Sequence, residues 1–268
     1  MANTPSADGT GSYQDILVEE PRPYVLLITL NRPDARNALH TPMLAEIAAC
    51  LRAAADKDAI RAVVITGGEK VFAAGADLKE LGDHDAVSIE NDPRPGHWAL
   101  IQAFPKPLIA AVNGYALGGG NELALSADII IAGDDAKFGQ PEVNVGIMPG
   151  AGGTQRLTHA VGKSLAMQMV MAADFIDADR AQAAGLVSEV VAPEECIARA
   201  VRLAETIAAK APKAVQLAKQ AVLKADEEAL KGGLQFERRA FCSLFATEDK
   251  TEGIQAFLEK RKPDFKGK

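Results

Sequence analysis

One unit recurs along the first two thirds of this chain: a short apolar run, a turn closed by glycine, then helical or apolar sequence. Ala62 to Thr66 (Ala-Val-Val-Ile-Thr) is closed by Gly67-Gly68. Leu108 to Val112 is closed by Asn113-Gly114, and Ile129 to Ala132 by Gly133-Asp134. Runs of this length, apolar throughout and bounded by turn residues, read as strands buried on both faces. Their spacing, about 20–50 residues with helical sequence between, predicts α/β layering or a β-α spiral. Ahead of them, Ile16 to Glu19 and Tyr24 to Leu30 read as paired strands, with Pro21 and Pro23 marking the turn. Pro42 to Ala55 reads as a helix, with Thr41 as its cap.

From Gly162 onward the pattern becomes helical: Lys163 to Ala173, Ala178 to Ala184, Pro193 to Lys210, Lys213 to Leu230, Gln235 to Ala246 and Glu252 to Arg261. A boundary at Ala211-Pro212 divides a core, residues 13–211, from a helical region, residues 212–268. The second part is too small to hold a comfortable core of its own. It is expected to pack on the main body or on a neighbouring subunit. Gly82 to Gly96 is polar, acidic and proline-containing, and reads as a mobile surface loop edging a site. Met1 to Ser12 is polar, expected to fray, and has neither the apolar core of a signal peptide nor the Arg-rich stretch of a transit peptide.

Composition excludes several functions. Lys plus Arg is 29 against 36 Asp plus Glu, a formal charge of −7. That disfavours a basic face for nucleic acid or anionic membrane. No run approaches the roughly 20 apolar residues that span a bilayer. Cys50, Cys196 and Cys242 are far apart and form no CxxC pair, which argues against a disulfide framework or structural zinc. A reducing, cytoplasmic setting fits this usage. His40, His84, His97 and His159 show no metal-binding spacing, so no metal is expected.

Four segments could carry chemistry. In Phe72-Ala-Ala-Gly-Ala-Asp77, small residues after a buried strand let main-chain N–H groups approach a ligand. Asn113-Gly-Tyr-Ala-Leu-Gly-Gly-Gly-Asn-Glu122 places three glycines before a helix start near Asn121, an anion-binding arrangement in general form. Its spacing fits neither the dinucleotide fingerprint nor a P-loop. Glu122 and Glu142 both lie in apolar, glycine-bounded surroundings. A lone glutamate usually faces solvent. Two in such settings suit general acid–base work, with burial raising their pKa values and the helix start pulling Glu122 back. Gly146-Ile-Met-Pro-Gly150-Ala-Gly-Gly-Thr-Gln-Arg156 is a further glycine-dense turn, read either as backbone shaped around a small ligand or as a structural loop.

Taken in order, these pieces resemble the crotonase (enoyl-CoA hydratase/isomerase) superfamily. Leu30-Asn-Arg-Pro33 to Asn37-Ala-Leu39, Phe138-Gly-Gln-Pro-Glu142 and the tail from Ala246-Thr-Glu-Asp249 to Phe265 complete the resemblance, which runs from about residue 13 to the end. It implies an α/β fold, a spiral of ββα turns with a C-terminal helical region used in trimer and hexamer assembly. It implies an acyl-CoA thioester as substrate and no separate cofactor, coenzyme A being part of that substrate. The thioester oxygen would be held by the N–H groups of Ala76 and Gly119. Members with glutamates matching both Glu122 and Glu142 are hydratases that add water syn across a trans-2-enoyl-CoA. Glu122 would take the water's proton, Glu142 would protonate C2, and the Gly150 backbone would help place the water. Coenzyme A would lie along Ala35, Arg36 and Ala38 and near Ala74, Asp77 and Leu78. Phe241 and Lys260 would complete its pocket, often from a neighbouring subunit, with Arg36 and Lys79 as local phosphate partners. Asn121 departs from the cysteine frequent in close hydratases. The glycine-rich turn and the tail look most like hydratases of aromatic-acid catabolism. A Δ3-Δ2 enoyl-CoA isomerase is the alternative within the family, and an RNA- or acyl-CoA-binding scaffold the non-enzymatic one.

Overall fold

The computed structural model describes residues 13–268. The reading of Met1 to Ser12 falls outside them. Strands β1 (Ile16–Arg22) and β2 (Val25–Leu30) form an antiparallel pair that opens the main sheet. The strand extends past the expected end at Glu19, through Pro21 to Arg22. An edge strand tolerates proline because one row of its N–H groups has no ladder partner. After α1 (Thr41–Asp56) come β3 (Ala62–Thr66), three short helices α2 (Leu78–Gly82), α3 (Ala86–Glu90) and α4 (Arg94–Gln102), and β4 (Leu108–Val112). Then follow β5 (Tyr115–Leu117), α5 (Gly119–Leu125), β6 (Ile129–Gly133), β7 (Lys137–Gly139), α6 (Gly153–Met171), β8 (Ile176–Asp177), α7 (Ala178–Ala183), β9 (Glu189–Val191) and α8 (Pro193–Ala208).

The main sheet runs β1-β2-β3-β4-β6-β9, parallel from β2 onward, and a small second sheet runs β5-β7-β8. The central strands β2, β3, β4 and β6 are buried on both faces, and successive residues alternate between two cores. Val63, Ile65, Leu108, Ala110 and Val112 face the larger core, with α1, α4 and the second sheet. Ala62, Val64, Ile109 and Ala111 face the other, covered by Cys196, Ala200, Val201, Ala204 and Ala208 of α8. Each core strand therefore needs apolar residues at every position, the pattern that marked these runs in the sequence.

Two expectations in the middle of the chain are corrected. Gly82 to Gly96 is not a loop without structure. It carries the end of α2, all of α3 and the start of α4, and Arg94, His84 and Asp92 tie it together. Asp85 caps α3 by accepting from the N–H groups of Val87 and Ser88. Helices this short leave too little periodicity to read. The helix expected from Lys163 instead begins at Gly153 and is broken at Gly162, whose φ of 76° and ψ of 159° are not helical. The expected start was the restart after that break.

The C-terminal helices are α9 (Pro212–Glu227), α10 (Leu230–Leu244) and α11 (Glu248–Leu258), each beginning earlier than its apolar pattern suggested. Pro212 starts α9, and the Thr247 side chain caps α11 by accepting from the Lys250 N–H. Lys219 anchors α9 to the body, pairing with Asp128 at 2.8 Å and donating to the carbonyls of Phe104 and Lys106. Neither α9 nor α10 has a fully buried residue. Val222, Leu230, Phe257 and Leu258 are all at least 73% exposed.

Candidate active site

The site starts from the three glycines, and each is required for a different reason. Gly118 turns the chain at φ 50°, and a Cβ there would stand 3.2 Å from Glu142 Oε1. A Cβ on Gly119 would come within 3.3 Å of the Ala76 nitrogen. A Cβ on Gly120 would lie 2.2 Å from the Ala73 carbonyl oxygen, closer than any real contact. The run thus lets the start of α5 lie directly on the segment after β3.

That segment is braced from the other side. Leu39 donates from its N–H to Gly75 O at 2.8 Å, and Asp77 donates to Leu39 O at 2.9 Å. This bridge pattern uses the neighbours of Ala76 and leaves its N–H without a partner among the described residues. Gly119, the first residue of α5, likewise has an N–H that no described residue accepts. Two unpaired main-chain donors, one at a helix start, therefore meet where the glycines bring the backbones together. Asn37, buried and left-handed at φ 55°, fixes the brace. Its amide donates to the carbonyls of Gly67, Val71 and Phe72, and its oxygen accepts from the Arg32 N–H.

Glu122 projects from the first turn of α5 and is 4% exposed. Its Oε1 accepts from the N–H of Ala151 at 2.7 Å and of Gly153 at 2.9 Å. Burial pushes its carboxyl pKa up. The amides of Gly153, Ala151 and Gly150 pull it back, and the net result stays above the usual range. Gly150 thus stands beside Glu122, facing it with its backbone. Glu142 opens a 3-10 turn, Glu142–Val145. Burial raises its pKa to about 7 against its own backbone N–H, with the neighbouring charge of Glu122 adding to the rise. Its Oε2 is buried and has no hydrogen-bond partner among the described residues.

Gln140 is fully buried between these parts. Turned so that its amide nitrogen lies 3.1 Å from the carbonyls of both Gly118 and Gly139, it satisfies both. Its oxygen then stands 3.3 Å from Glu142 Oε1, a contact that suits a protonated carboxyl. Asn121, also fully buried, lies 2.9 Å from the Gln140 amide. Gln140, Asn37, Ala151 and Gly153 were not singled out from the sequence. All four lie inside motifs that were, but only the folded contacts reveal their roles.

The other expected residues are placed as follows. Ala35 ends a 3-10 turn, Arg36 is exposed and left-handed at φ 51°, and Ala74 donates to the Arg36 carbonyl. Ala38 takes a hydrogen bond from the Arg32 guanidinium through its carbonyl. Leu78 is 55% exposed. Asp77 is taken up structurally, since it caps α2 and pairs with Arg32 at 3.1 Å. Burial pushes its carboxyl up, but Arg32 and the Lys79 amide outweigh it and hold it below the usual range. Phe241 lines an apolar cavity of about 290 Å³ among α9, α10 and α11, and packs against Phe245. Lys260 lies just past α11 at φ 57°. The hydrogen bonds and ring contacts of these last two stay within the C-terminal helices. Among the described residues, no three His, Cys, Asp or Glu side chains are grouped to hold a metal ion. No described helix is long and apolar enough to cross a membrane.

A parallel sheet wound with helices, a pair of backbone donors without a partner among the described residues, a buried glutamate and a partly buried one form an arrangement suited to acid–base chemistry beside an oxygen that gains negative charge. Residues 21–268 match the sequence model of the enoyl-CoA hydratase/isomerase family, and the chain belongs to that family. It is 55% identical over 244 residues to 2,3-dehydroadipyl-CoA hydratase of Escherichia coli (strain K12), spanning 91% of this chain and 96% of that relative. It is 48% identical over 240 residues to the mitochondrial enoyl-CoA hydratase of Pongo abelii, 90% of this chain and 83% of the relative. An enoyl-CoA hydratase structure from Geobacillus kaustophilus HTA426 superposes with a TM-score of 0.92 at 45% identity, covering 96% of this chain and 100% of that one.

Proposed function

We propose that this chain is an enoyl-CoA hydratase, adding water syn across the double bond of a trans-2-enoyl-CoA. The observation that carries this is the pairing of two glutamates, Glu122 buried and Glu142 partly buried, with two main-chain donors that have no partner among the described residues. Hydration at C3 needs a base for the water's proton, an acid for C2 and a place for negative charge on the thioester oxygen. Glu122, ionised and held by two amides, takes a proton from water as its oxygen bonds to C3. The electron pair of the double bond shifts to the thioester oxygen, and the N–H groups of Ala76 and Gly119 stabilise the resulting enolate. Glu142, held protonated by burial, gives its proton to C2. Proton exchange between the glutamates and solvent restores the starting state. Both carboxylates hold the water from one face, which makes the addition syn. Gly150 helps place that water through its backbone.

Coenzyme A lies along Ala35, Arg36, Ala38, Ala74, Asp77 and Leu78, with Arg36 and Lys79 as exposed phosphate partners and Phe241 and Lys260 closing the pocket. A separate cofactor is not required. The exposed apolar residues of α9 to α11 support assembly as a homotrimer or a homohexamer, in which a neighbour covers them. The usage of cysteine supports a reducing, cytoplasmic location. The similarity to the Escherichia coli 2,3-dehydroadipyl-CoA hydratase favours an acyl group that ends in a carboxylate. Loss of enoyl-thioester absorbance, followed with crotonyl-CoA and with 2,3-dehydroadipyl-CoA, tests both readings. Turnover of either supports hydration, and preference for the second supports the terminal carboxylate. Absence of turnover with every chain length contradicts the proposal.

A further inference from the structure

The turn that holds Glu122 is itself held by a residue on another helix. Ala151 donates its N–H to Glu122 Oε1 at 2.7 Å, and its carbonyl accepts from Gln102 Nε2 at 3.0 Å. Gln102 is the last residue of α4. That helix is fixed in the larger core by Trp98 and Ile101, packed with α1. Gly152, between the two donors, has φ 110°. This left-handed geometry lets the N–H groups of Ala151 and Gly153 aim at one oxygen. A Cβ on Gly152 would lie 3.7 Å from Gln102 Nε2 and 3.3 Å from Arg156 Nε, so both side chains cover the turn. The turn is otherwise open to solvent at Gly150 and partly so at Ala151.

We infer that Gln102 is a positioning residue for Glu122, acting through the Ala151 peptide. The Gln102 amide fixes the plane of that peptide. The peptide of the Ala151 carbonyl, Ala151–Gly152, joins the two peptides that carry the N–H groups of Ala151 and Gly153, so holding it keeps both donors aimed at Glu122 Oε1, where they stabilise the ionised form. Without the amide, the Ala151–Gly152 peptide can rotate toward solvent, and the donors on either side of it lose their aim at the carboxylate. Glu122 then binds its proton more tightly and is a base over a narrower pH range. The charged groups nearby, Glu142 on the 3-10 turn and Arg156 on α6, stay the same when Gln102 is changed. The catalytic part of this inference rests on the hydratase reading; the positioning part does not.

The test is Gln102→Met, which keeps the length of the side chain and removes the donor. Gln102→Ser, which leaves room for water, serves if the first variant does not fold. Carboxyl-13C glutamate labelling and NMR titration follow Glu122 in the free protein, with Glu122→Gln assigning its signal. The expected result is a Glu122 titration at higher pH than in wild type. With crotonyl-CoA, kcat falls about tenfold while KM changes little, as misplacement of a catalytic group predicts. The acid limb of the rate profile moves to higher pH. A Glu122 titration unchanged in the folded variant overturns the inference, whatever the rate does. If wild type hydrates no enoyl-CoA yet the titration moves, the positioning stands and the hydratase reading fails.

Discussion

At the scale of single residues, two carboxyl groups of one kind meet different surroundings in the candidate site. Glu122 is more buried, but three main-chain amides compensate it. Glu142 has no comparable set of donors, so burial carries its pKa to about 7. Both carboxyl groups are thus pushed toward the neutral form, and main-chain amides oppose the push more at Glu122 than at Glu142. The sign for stability follows from Glu142 having a folded pKa above its ordinary 4.5. What its neutral form contributes is fully present below the ordinary value and is lost as pH rises through about 7. Glu142→Gln stays neutral throughout. Its melting temperature should rise relative to wild type as the pH goes from about 5 to about 9. Thermal melts across that range check this; a constant difference would mean that Glu142 is not charged at a cost.

At the scale of elements, the first turn of α5 is the most demanding part of the fold. Gly120→Ala drives a methyl group into the Ala73 carbonyl, a rigid main-chain neighbour. It should lower stability by about 1–3 kcal/mol or more. Urea unfolding measures it, and a wild-type midpoint would refute the close approach. These elements differ in how far the sequence reveals them. The doubly buried strands were legible because each position had to be apolar, and Ala62–Thr66 and Leu108–Val112 fall where that pattern put them. The triple glycine was legible as a close approach, but not which backbone each glycine meets. α2 and α3 were hidden because five-residue helices show no period and their caps resemble loop residues. The start of α6 was hidden because Gly150 to Gly153 reads as continuous loop, although the helix begins inside it. Gln102 gave no local signal at all. Its effect depends on a contact 49 residues away in the chain.

At the scale of the whole molecule, α9 to α11 leave apolar side chains uncovered. Val222, Leu230, Phe257 and Leu258 are not covered by the other described residues, and the proposed assembly would cover them. Light scattering should give a mass of three or six chains. Leu230→Asp with Phe257→Asp should lower it, and a wild-type protein with the mass of one chain would contradict the assembly. A chain of charge −7 that binds coenzyme A must do so with a few placed donors, so net charge alone does not exclude a polyanionic ligand. The account as a whole stands on two glutamates transferring protons in one reaction. Its most direct test is hydration of crotonyl-CoA by wild type, Glu122→Gln and Glu142→Gln, each checked for folding. The account predicts turnover by wild type and a loss of about 100-fold or more in kcat for each variant. Near-normal rates in either variant would contradict it.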